Sequence, residues 1–104
     1  MKTDKIKKEF VKNLNNIEKH SKKIAKLYGI NYIPIITFKE IIKLSKPETN
    51  TEIESINRVN KSYCSHLDVI LETCTNNAKN MNSKNIPIPL ISKCILETKI
   101  IFKQ

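Results

Sequence analysis

Thiols, imidazoles and ammonium groups are the side chains in this sequence whose types and spacing bear on chemistry. Cys64, His66 and Cys74 lie close together along the chain, and Cys94 follows. Zinc needs tightly paired ligands such as CxxC, and no such pair is present, so no metal is expected. Three cysteines without CxxC also make a poor disulfide framework. They read as small apolar side chains kept reduced, which suits an intracellular protein.

Catalysis finds equally little support. Asp4 and Asp68 are the only aspartates, and His20 and His66 fall in helix-periodic stretches with no triad setting around them. Gly29 is the single glycine, so there is no glycine-rich loop to cradle a phosphate. The expectation is a protein that is not an enzyme, with no cofactor and no small-molecule substrate.

Lysine carries most of the remaining chemistry. The chain has a formal net charge of +9, and all its basic residues except Arg58 are lysines. Lysine neutralises phosphate as a point charge, whereas forked contacts to bases favour arginine. Residues 1–28 hold nine lysines against Asp4, Glu9 and Glu18, which reads as a basic arm on a near-neutral body.

These residues need elements to position them. Phe10, Leu14, Ile17, Ile24 and Leu27 recur at helical spacing, so residues 4–28 read as an amphipathic basic helix stopped by Gly29. Its apolar stripe is narrow, broken at Ser21, and predicts a helix lying on something rather than inside it. Residues 30–36 are β-branched but contain Pro34, which suggests an extended connector. Thr37-x-x-Glu40 has the form of a capping box and opens a short helix, Phe38 to Ser45, that Pro47 ends.

Thr51-x-x-Glu54 is a second capping box. It precedes apolar residues at steps of three or four from Ile53 to Met81, a helix of roughly 31 residues and about 46 Å. Residues 83–88 form a loop, and Pro89 suits the start of a last helix, Leu90 to Phe102. No internal repeat stands out. No apolar run is long enough to span a membrane, and the first thirty residues lack the apolar core of a leader. An apolar stripe 46 Å long exceeds what two short helices cover, so dimerisation is expected through Ile56, Tyr63, Leu67, Ile70, Leu71 and Cys74.

The order short helix, long helix, medium helix over residues 36–104 resembles the histone fold, preceded by a basic helix over residues 1–30. Phe38-Lys-Glu-Ile-Ile-Lys-Leu is similar to the first helix of archaeal histones. Lys84-Asn-Ile86 stands where the family has its second-loop Lys-Thr-Ile/Val, and Ile91, Cys94 and Ile95 fall at apolar positions of its third helix. Leu90 stands in place of the family's aspartate, which marks a diverged member.

The resemblance implies an all-α histone-fold subunit that pairs with another histone-fold chain, identical or not. Such a subunit binds duplex DNA backbone without sequence preference in a chromatin, kinetochore or transcription complex, in the nucleus or on a chromosome. In that family the first loop of one chain meets the second loop of its partner at the DNA. The corresponding candidates are Lys43, Lys46, Thr49 and Asn50 from the first loop, and Lys79, Ser83, Lys84 and Asn85 from the second. Lys5, Lys8, Lys12, Lys22 and Lys23 of the arm join them. The alternative is a helical protein–protein module with no direct DNA contact. No membrane partner is expected.

Overall fold

A computed structural model of the chain describes residues 2–103. It is mostly helical, with four helices and two short strands. The order is α1 (Lys2–Leu27), β1 (Tyr32–Pro34), α2 (Ile35–Ser45), α3 (Glu54–Asn80), β2 (Asn85–Pro87) and α4 (Ile88–Lys103). Among the described residues no helix is long and apolar enough to cross a membrane.

The sequence is built of two similar halves, contrary to the expectation of no repeat. Each half runs long helix, tight turn, three-residue strand, shorter helix, and each element of the second half begins about 53 positions after its counterpart. The core follows the same offset. Phe10, Leu14, Ile17, Ser21 and Ala25 in α1 match Tyr63, Leu67, Ile70, Cys74 and Ala78 in α3, and all ten are buried. Ile33 matches Ile86, and Phe38, Ile41 and Ile42 match Ile91, Cys94 and Ile95.

Hydrogen bonds repeat the pattern. The Gly29 N–H donates to the Lys26 carbonyl and that of Ile30 to Ala25, while the N–H of Asn82 donates to Lys79 and that of Ser83 to Ala78. Gly29 and Asn82 both take the left-handed conformation that closes a helix, at φ 65° and 52°. The hydroxyls of Ser45 and Thr98 each donate to the carbonyl four residues back, Ile41 and Cys94, at 2.7 and 2.8 Å.

The two strands pair with each other, antiparallel, with Ile33 opposite Ile86. At the ends of this ribbon the Ile35 N–H donates to the Lys84 carbonyl (2.9 Å) and the Ile88 N–H to that of Asn31 (3.0 Å), reciprocal bonds between equivalent residues. At the other end of the core the rings of Phe10 and Tyr63 stack at 4.1 Å and 1°, and Phe102 meets both edge-on. The halves are thus related by an approximate twofold axis running from the Ile33–Ile86 pair to the Phe10–Tyr63 stack.

Three expectations need correction. The basic helix is no separate arm: α1 shares one core with α2, α3 and α4, and its closest packing is against α4. Its narrow stripe suffices because Ser21, where the stripe breaks, returns its hydroxyl to the Ile17 carbonyl at 2.8 Å and is fully buried.

The stripe of α3 is covered from within the chain by α1, α2 and α4 together, so the residues assigned to a dimer interface are differently employed. Tyr63, Leu67, Ile70 and Cys74 are core, and Ile56 and Leu71 are half-buried. Finally, neither capping box forms, since neither α2 nor α3 has a side-chain cap at its N-terminus. Helix α2 already begins at Ile35, placing Thr37 inside it. The Asn57 side chain takes the Thr51 N–H (2.6 Å) and holds the segment before α3.

Candidate nucleic-acid interface

Folding redistributes the charge. Helices α1 and α3 both run toward the ribbon, and α2 and α4 both start from it. Residues 19–39 and 73–96 therefore gather at one end of a molecule 42 Å long. Those two stretches contain Lys19, Lys22, Lys23, Lys26, Lys39, Lys79, Lys84 and Lys93, with no aspartate or glutamate. All eight lysines are exposed. The carboxylates cluster elsewhere, with six of them between Glu40 and Glu72. Four of the nine lysines of residues 1–28 thus join four from later in the chain in a basic cap on the ribbon end.

The ribbon places these lysines around the start of a helix. A shallow hollow of about 400 Å³ is lined by Lys22, Lys26, Gly29, Asn31 and the start of α4 at Ile88. The Ile88 N–H is taken by the Asn31 carbonyl and Pro89 has none. This helix start therefore offers a partial positive charge, and the flanking ammonium groups are what suit phosphate oxygens.

Of the predicted DNA contacts, Lys22, Lys23, Lys79, Ser83, Lys84 and Asn85 meet at this end. Ser83 serves the turn itself: the Asn85 N–H donates to its Oγ at 3.0 Å, and its hydroxyl returns to the Asn85 carbonyl. Lys43, Lys46, Thr49 and Asn50 do not join them. They lie at the far end of α2 and in the connector to α3, roughly 15 Å away along the helix. There Lys46 is held by Asp68 at 2.5 Å. Lys5, Lys8 and Lys12 lie about 22 Å or more from the end of α1.

The loop pairing expected from the resemblance is also different. The partner of β2 is β1, not the 46–53 connector. Sequence reading passed over Lys39 and Lys93, whose signal was available as the two long stretches free of carboxylates.

No protein-family model, curated protein or solved structure matches this chain.

Several ionisable groups outside the lysine cap are tied into the fold. The Cys74 thiol is pushed up by its hydrogen bond with Cys94 and by burial, and Cys64 is pushed up by burial. Tyr63 is also raised, by burial first. Burial acts to raise Glu18, but hydrogen bonds from Ser92 and Lys22, with the charges of Lys22 and Lys99, leave it below the ordinary carboxylate value. It joins α1 to α4, as does the Lys99 bond to Asn15 (2.8 Å). The His66 ring lies edge-on to Phe102 at 5.1 Å with Nδ1 at 2.8 Å from the Ser62 carbonyl, so it is packed. The described residues include no group of three or more metal-ligating side chains.

Proposed function

We propose that this protein is a DNA-associated helical subunit that holds the phosphate backbone of duplex DNA with its ribbon end, without reading sequence. The observation that carries the reading is the cap of eight exposed lysines around paired strands and two helix starts, with Glu18 at its edge pairing with Lys22 at 3.1 Å. Ammonium groups contact phosphate and leave base edges unread. The near absence of arginine fits the same role.

In this reading the histone-like resemblance survives in a narrower form. Short, long and medium helices follow one another from Ile35 to Lys103. The extended segments that pair here lie within one chain, and β2 joins β1, the segment before the short helix, where histones join first loop to second loop. A chromosome-associated location follows from that role.

The test is salt-titrated binding to a duplex of arbitrary sequence, comparing two triple variants of equal charge change. Replacing Lys26, Lys79 and Lys84 with glutamine should flatten the slope of log affinity against log salt by roughly 2.7, about 0.9 for each lost phosphate contact. Replacing Lys5, Lys8 and Lys12 with glutamine should alter it by much less. Equal effects would mean attraction by net charge alone. Absence of binding at low salt would return the chain to the class of protein-only modules.

A further inference from the structure

The internal repeat supplies its own control for deciding which surface residues the fold requires. A groove of about 830 Å³ runs between α1 and α2, its floor formed by Ile17, Ile24, Ile36, Ile41 and Leu44 among others. Ile17 and Ile41 belong to the core, but Ile36 is 82% exposed and Leu44 77% exposed. In the second half the residues 53 positions later are Asn77 for Ile24, Pro89 for Ile36 and Glu97 for Leu44. The same backbone folds there with two polar side chains and a proline. Ile24 also packs against the core, but the exposed side chains of Ile36 and Leu44 are surplus to the fold, and exposed apolar surface of this kind marks an interaction site.

We infer that this groove docks an acidic amphipathic helix from a partner protein. Its length and charge select that occupant. The groove continues along α1 past Lys19 and Lys23 to Leu27. From Asn13 to Leu27 it spans about 21 Å, four helical turns, which matches a helix of roughly 14 residues. Apolar side chains at every third or fourth position of such a helix would fill the floor.

Lys19 and Lys23 flank that floor, and Glu40 is the one carboxylate on its wall. Glutamates on the partner's outer face complement this rim. A second copy of this chain fits poorly, because each copy carries +9 and would bring lysines against lysines. Nucleic acid fits poorly as well, since an apolar floor offers a phosphate backbone nothing.

The experiment uses the full chain and a synthetic 16-residue helical peptide with a leucine stripe and glutamates elsewhere. Its comparators are a peptide with lysines in place of the glutamates and a scrambled one that lacks the stripe. Binding is followed by fluorescence anisotropy. The acidic striped peptide should bind, and the other two should bind at least tenfold more weakly.

The double variant Ile36→Pro, Leu44→Glu installs the second half's own residues at the two exposed positions, so it should keep the parent's helicity and unfolding transition and lose at least tenfold in affinity. The Lys26, Lys79, Lys84 variant described above should bind the peptide as well as the parent does, so failure of the DNA reading and failure of this one are separable. Equal binding of the scrambled peptide, an unchanged affinity in the folded double variant, or sedimentation showing that the groove mediates self-association would each overturn the inference.

Discussion

At the scale of single residues, the contact that ties the halves together is the stack of Phe10 on Tyr63, closed at its edge by Phe102. These rings occupy equivalent positions of the two halves and differ by one hydroxyl. That hydroxyl is buried and has no hydrogen-bond partner among the described residues. Desolvating an unpaired hydroxyl costs about 1–3 kcal/mol, so Tyr63→Phe should stabilise the protein, by about 1 kcal/mol. Urea unfolding of the two proteins measures it, and a loss of stability would mean the hydroxyl is satisfied in solution. Burial along α3 was legible at this scale, since Tyr63, Leu67, Ile70 and Cys74 lie on the predicted stripe. What covers them was not, because a stripe of apolar residues has no memory of whether its cover is another chain or other helices of its own.

At the scale of elements, turn chemistry decided where the long helices stop. Gly29 and Asn82 both adopt positive φ, and these are the residue types that do so at least cost. A Cβ added at Gly29 would meet nothing within 4 Å, so a substitution there tests backbone conformation alone. Gly29→Ala should cost about 1 kcal/mol, near the lower end of the penalty for an L-residue in this conformation. Gly29→Asn should cost markedly less, as Asn82 does the same work in the other half. Chemical denaturation of both variants checks the order.

The helices and their ends at Gly29 and Pro47 could be read from the sequence, and so could the extended character of the first connector, whereas residues 83–88 read as a loop. The capping boxes could not, because Pro34 and the Thr51–Asn57 bonds set the helix starts in their place. The pairing of β1 with β2 was written in plain view. Both connectors contain Ile-Pro-Ile, at 33–35 and 86–88, but three residues are too short to announce a strand or a repeat.

At the scale of the whole molecule, the repeat escaped notice because identity between the halves is concentrated in the core. Leu14 and Leu67, Ile17 and Ile70, Ala25 and Ala78, and Ile42 and Ile95 agree, while the exposed positions diverge as their separate tasks allow. The basic cap was hidden for the same reason: its lysines come from both halves and meet only once the ribbon closes. The architecture also predicts how the fold comes apart. Neither half has a core of its own, since Phe10 stacks on Tyr63, Ile33 faces Ile86, and α1 lies chiefly on α4. Each half is also short for a domain, and a chain of about 50 residues buries so small a share of its surface that its stability is marginal. Residues 1–50 and residues 51–104, prepared as separate chains, should therefore each be largely unfolded. Mixed one to one they should recover helicity and a single cooperative transition whose midpoint rises with concentration, because their union is now a bimolecular association. Circular dichroism of each fragment and of the mixture tests this directly. A fragment that folds cooperatively alone would show that its half is an independent domain and that the shared core is dispensable.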